Sequence, residues 1–151
     1  MKNNAFKYSG FLAVFTFILL ASCNKFDEGG NVSDAETNLV KTWILETYLR
    51  NGVDETSSLL ISGYTETYTQ AGSYTRTYRD DENESETQTG QWAFQEDYKQ
   101  LHLSGVGSIR FTQASGTLSS SYYSILRLEE NVFWYSFENG GDRHEFRLIS
   151  E

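Results

Sequence analysis

The chain of 151 residues has no proline, one cysteine and two histidines. Each scarcity excludes something. Without proline no ladder donor is missing anywhere, so nothing in the composition interrupts a β-strand. The single cysteine, Cys23, rules out an intramolecular disulfide. Positive charge is also scarce: 12 Lys and Arg stand against 21 Asp and Glu, a net charge of −9. A chain this acidic does not hold DNA or RNA by neutralising phosphates. The longest apolar run, Phe11 to Ala21, has 11 residues, whereas a membrane-spanning helix needs roughly 20.

That run has the length of a signal-peptide core, and Lys2 and Lys7 precede it as a short basic segment. Leu20-Ala21-Ser22-Cys23 at its end resembles the lipobox of bacterial lipoproteins. The resemblance implies cleavage before Cys23, a diacylglyceryl thioether on its sulfur and an acylated amino end. Two or three acyl chains, palmitate among them, are needed because one chain alone binds a membrane only marginally. Losing residues 1–22 removes two lysines and no acid, leaving ten basic against 21 acidic residues, a net charge of −11. Asn24-Lys25-Phe26-Asp27-Glu28 resembles the acidic signal that sends some lipoproteins of Gram-negative bacteria to the outer face of the outer membrane. A solvated linker would carry the same charges and the same Gly29-Gly30. The expected organisation is a signal peptide over 1–22, a lipidated cysteine and flexible linker over 23–35, and one domain over 36–151.

From Ser33 the character changes. Ser33 followed by Glu36 has the spacing of a capping box, and Leu39, Val40 and Trp43 follow at helical spacing. This predicts one short helix over 34–41. The rest reads as strand, with Thr, Tyr, Phe, Val and Ile alternating between Gly- or Asn-containing turns. Strands are expected at 42–50, 60–69, 73–80, 85–95, 99–104, 108–113, 120–129, 132–138 and 143–150. An antiparallel meander of eight or nine such strands removes its edges by closing. Leu39-Val40-Lys41-Thr42-Trp43, Tyr68 to Tyr74 across Gly72, and Gly90-Gln91-Trp92 occur in an order that resembles the lipocalin-like domains of bacterial lipoproteins. The resemblance covers roughly residues 37 to 149. It implies an up-and-down barrel whose interior or mouth takes any ligand. It also implies that Trp43 is a barrel-floor tryptophan covered by an arginine, Arg147 first and Arg127 second.

Parity then sorts the side chains, because a slip of one residue reverses both faces of a strand. A three-residue loop Gln70-Ala71-Gly72 pairs Tyr68 with Tyr74, Glu66 with Arg76 and Tyr64 with Tyr78. The tyrosine face buries more apolar area, so it is placed inward and the threonine face outward. Glu66 and Arg76 then lie inside, either as a polar anchor for a ligand headgroup or as an ion pair that satisfies itself. An even turn at Asn139-Gly140 gathers Phe133, Tyr135, Phe137, His144, Phe146 and Leu148 on one face and turns Trp134 outward beside Arg127 or Arg147.

Little here resembles catalytic machinery. His144 and Glu145 are adjacent on a strand and point to opposite faces, so they cannot chelate one metal. The acidic run from Asp80 to Glu86 lacks the spacing of a calcium loop. No nucleophile elbow or phosphate loop is present. The expectation is a protein that is not an enzyme and needs no cofactor. Two classes remain. One is a barrel binding a small apolar or amphipathic ligand through Tyr64, Glu66, Tyr68, Tyr74, Arg76, Tyr78, Trp92 and Tyr135, in a cavity at the end away from Trp43. The other is a filled barrel that acts as a surface interaction or structural lipoprotein.

Overall fold

The hairpins read from the sequence become the wall of one barrel. The computed structural model describes residues 24–151; Cys23 and the signal segment lie outside them. In chain order the strands are β1 (Thr42–Arg50), β2 (Val53–Asp54), β3 (Ser62–Tyr68), β4 (Ser73–Arg79), β5 (Ser85–Gln95), β6 (Gln100–Ser104), β7 (Ile109–Thr112), β8 (Gly116–Leu118), β9 (Tyr122–Glu129), β10 (Val132–Asn139) and β11 (Asp142–Ser150). Eight of them form the ring β1-β3-β4-β5-β6-β9-β10-β11, closed by pairing of β11 with β1. Every neighbouring pair is antiparallel. The two-residue strand β2 adds to the far end of β1.

The expected registers hold where they matter. Gly72 sits in the left-handed region at φ 81°, which a side chain would resist. The loop it closes aligns Tyr68 with Tyr74 and Glu66 with Arg76. A bulge between Ser62 and Thr65 displaces Tyr64 from the ladder, yet its ring still stacks with Tyr78 at 6.4 Å between centroids. The two-residue turn Gly140-Gly141 sets Phe137 opposite His144 and Tyr135 opposite Phe146. Trp134 points outward between two cations, 4.2 Å from the Arg147 guanidinium and 5.1 Å from that of Arg127.

That arrangement overturns the expected cover for Trp43. Arg147 alternates with the inward Phe146 and Leu148, so its side chain lies on the outer wall. Trp43 is covered instead by Lys41, whose Nζ lies 5.3 Å from the ring. Its indole N–H donates to the carbonyl of Leu39 at 3.0 Å. Leu39 ends helix α1 (Ala35–Leu39), which is shorter than expected and is preceded by a 3-10 turn over Val32–Asp34. The capping box does not form: the Ser33 hydroxyl bonds the neighbouring Asp34 carboxylate rather than a helix N–H.

Two further departures follow from partners that lie far away in sequence. Residues 24–34, expected as flexible linker, pack on the barrel. Phe26 is buried, the Glu28 N–H donates to Leu126 O at 2.8 Å, and the Leu128 N–H donates to Gly29 O at 3.1 Å. Gly30, at φ 97°, lies so close to β9 that a Cβ would come within 2.0 Å of Leu128 O. The strand expected at 108–113 also leaves the ring. Its core, β7, pairs with β8 to form a separate hairpin inside the β6–β9 connection.

The β7–β8 hairpin closes the barrel at the end opposite α1. It is joined to the segment leading into β3 through an isolated bridge from Leu59 to Thr112 and the bond from Leu60 N–H to Phe111 O. Asn139 adds side-chain bonds to Thr117 and Ser119. Phe111 is fully buried, with ring centroids 4.6 Å from Tyr48, 4.7 Å from Phe146 and 5.8 Å from Tyr64. Phe111→Ala should therefore cost about 3–5 kcal/mol, the range for a large core aromatic. Chemical denaturation would measure it, and a loss below about 1 kcal/mol would show that the hairpin is a loose flap.

Candidate functional site

Alternation along β3 and β4 sends Tyr64, Glu66, Tyr68, Tyr74, Arg76 and Tyr78 inward, and all are buried. Glu66 is 1% exposed and lies at the centre. Four phenols donate to it. Tyr64, Tyr74 and Tyr135 reach Oε1 at 2.5, 2.9 and 2.8 Å, and Tyr68 reaches Oε2 at 2.8 Å. Four donors converge on one side chain whose two oxygens offer about four lone-pair sites. The donors arrive from three strands, β3, β4 and β10, so one side chain ties both sides of the ring together.

Burial pushes the hydroxyls of Tyr64, Tyr68, Tyr74 and Tyr135 well above the usual phenol range, and the negative Glu66 adds to the effect. Burial also holds Tyr123 up, at about 12.

Arg76 is 5% exposed and faces Glu66 in the ladder, but the expected ion pair is absent. Among the described residues its guanidinium lies within 4.0 Å of no carboxylate. One nitrogen, Nη2, donates to Gln88 Oε1 at 2.5 Å and to Gly107 O at 2.7 Å. Nε is buried and has no partner. The physical reason is competition: four phenols already occupy Glu66, so Arg76 turns to neutral acceptors nearer the mouth. Arginine keeps its charge in any protein setting, so this is a buried cation whose Nε is left without a partner.

The cavity expected at the open end is almost filled. A void of about 10 Å³ remains, lined by Tyr64, Arg76, Ser120, Tyr123 and Tyr135 and roofed by Ile109 and Leu118 of the hairpin. That is room for about one water molecule. The rest of the expected interior is occupied by Phe111 and by the tyrosine rings themselves. Trp92 is elsewhere, half-buried at the α1 end, where its indole N–H donates to Thr69 O at 3.0 Å and its ring meets Tyr68 and Phe94. It is therefore not beside the mouth.

Sequence reasoning misses three members of this site. Gln88 and Gly107 hold Arg76, but a glutamine on an outer-looking strand and a loop glycine carry no signal of that contact. Phe111 was placed on a strand without its destination. Among the described residues no group of three or more His, Cys, Asp or Glu side chains is placed to hold a metal.

No family model matches the chain, and no curated protein matches it. Solved structures do. A lipocalin-like protein from Bacteroides uniformis is 14% identical with a TM-score of 0.47, and the match covers 73% of this chain and 97% of that one. An uncharacterized protein from Bacteroides eggerthii is 10% identical with a TM-score of 0.44, covering 75% and 99%. Japanin from Rhipicephalus appendiculatus, bound to cholesterol, is 11% identical with a TM-score of 0.44, covering 74% of each chain. At these levels the strand order of this barrel, rather than the likeness, carries the fold assignment.

Two measurements test the cage. Glu66→Gln keeps the shape but replaces one acceptor oxygen by a donor, and it should cost about 1–3 kcal/mol. Arg76→Met should cost about 1–2 kcal/mol, because it removes the buried charge but leaves Gln88 Oε1 and Gly107 O without their donor. A loss of about 3 kcal/mol or more for Arg76→Met would show that Glu66 depends on it.

The second concerns alkali. Phenols whose folded values are raised contribute stability that is complete below the free-phenol value near pH 10 and is lost as the pH climbs above it. Phenolate absorbance from the four cage tyrosines should thus appear together with loss of near-ultraviolet circular dichroism. Ionisation of every barrel tyrosine near pH 10 in a barrel that stays folded would contradict the cage.

Proposed function

We propose that the protein is a lipid-anchored barrel that binds a small amphipathic ligand at its mouth when the β7–β8 hairpin lifts. The observation that carries this reading is the buried guanidinium of Arg76, with an unpartnered Nε, which lines a small void between the barrel and a hairpin outside the barrel ladder. Few backbone bonds tie the hairpin to the barrel, so the burial of Phe111, Ile109 and Leu118 is what holds it down. Small residues flank it on both sides, Gly105-Val106-Gly107-Ser108 before and Ser119-Ser120-Ser121 after. Such positions absorb the backbone changes of a hinge. With the hairpin raised, Phe111, Ile109 and Leu118 leave an apolar cup floored by Tyr64, Tyr135 and Phe146. A ligand tail in that cup would replace the apolar area they bury.

A second reading, a filled barrel that works through its outer surface, is favoured by the small volume of the closed interior. The two separate on hydrogen exchange. In the ligand reading, hairpin amides exchange by local opening faster than those of β10 and β11. In the filled reading they exchange only with global unfolding.

The anchor is supported by the lipobox-like residues ending at Cys23, outside the described residues, and the acidic segment Asn24 to Glu28 supports an outer-membrane location. Cys23→Ser should move the protein from the membrane to the soluble fraction and abolish incorporation of labelled palmitate. Unchanged labelling in that variant would remove the anchor from the account.

A further inference from the structure

Arg76 does two things at the mouth. Its Nη2 holds the carbonyl of Gly107 at 2.7 Å, and Gly107 is in the flank from which the hairpin departs. Its Nε, on the same planar group, is buried without a partner, and the Arg76 side chain lines the void. Gln88, the other acceptor on Nη2, also reaches the flank, donating to Ser108 O at 3.4 Å. The guanidinium is thus the polar link between the barrel wall and the first hinge of the hairpin. Glu66 makes no direct bond to it, since its oxygens are taken by four phenols.

We infer that the ligand is an amphiphile with a carboxylate headgroup, and that Arg76 is both its binding residue and the latch that the headgroup releases. The inference rests on the ligand reading above. A carboxylate accepts two parallel N–H bonds from a guanidinium, and such charge-assisted pairs are about twice as strong as bonds to a neutral carbonyl. A headgroup entering the void takes Nε and one Nη. In doing so it competes with Gly107 O for the same fork. Binding therefore removes a tether of the hairpin at the moment the tail needs the hairpin's place. The site is selective by the same logic: an alcohol of equal length satisfies neither the charge nor the fork, and leaves Gly107 held. Tyr123 and Ser120, which also line the void, offer hydroxyls at its rim, although the Tyr123 O–H is engaged with Ser120 O at 2.8 Å.

The test compares dodecanoate with dodecanol on the soluble domain, residues 24–151, which contains the whole described fold. Titration calorimetry should show dodecanoate binding at least tenfold more tightly, since a bond to a charged group is worth about a tenfold or greater change in affinity. Arg76→Met should bring the two ligands to equal affinity without unfolding the barrel, and Arg76→Lys, a cation without the fork, should fall between. Dodecanoate should also speed hydrogen exchange at the amides of residues 107–118, and dodecanol should do so less. Equal affinity of the wild type for both ligands would overturn the carboxylate inference and leave the ligand reading standing. Binding of neither, with a hairpin that exchanges only on global unfolding, would overturn the ligand reading itself. Tighter dodecanoate binding that survives Arg76→Met would overturn the role of Arg76.

Discussion

The structure depends on one buried carboxylate and the four phenols that satisfy it. A tyrosine-lined interior is costly unless each hydroxyl finds a partner. Glu66 gives four of them the same partner. Their rings can then pack as a core while their oxygens converge, and strands β3, β4 and β10 are held in register by a common acceptor. The arrangement also explains why the barrel is full. Rings that must reach a central oxygen cross the lumen instead of lining it.

Arg76 shows the other side of that economy. The cage takes up the oxygens of the anion opposite it, so the direct bonds of a buried cation go to neutral acceptors. One of these belongs to the hairpin flank. Closing the mouth and holding the charge thus become parts of one local solution, and a change at either affects both.

Much of the wall was legible because parity is robust. The period of two along Tyr64 to Tyr78 identified the inward face, and the loop ending at Gly72 fixed its register. The even turn before Asp142 did the same for Tyr135 and Phe146, and placed Trp134 outside. What could not be read depended on distant partners. Residues 108–113 have strand composition, but nothing local states that they pair with Gly116–Leu118 and plug the end. Glu66 and Arg76 lie opposite each other, which suggests an ion pair; only the convergence of Tyr135, 69 residues away, shows that phenols win the carboxylate. Gly29 and Gly30 looked like spacer because composition alone does not separate a flexible glycine from one required by close approach to Leu128 O.

That last contact bears on how the molecule would stand at a surface. Residues 24–34 are fastened along β9, and Asn24 lies near α1, with its carbonyl accepting from Val32 N–H at 2.9 Å. A barrel tethered through Cys23 would have almost no slack between lipid and fold. It would behave as an upright mounted on the bilayer rather than as a float on a string. Its α1 end would face the headgroups, and the hairpin end would look into the aqueous phase. Cargo would then reach it by diffusion through water instead of laterally from the leaflet.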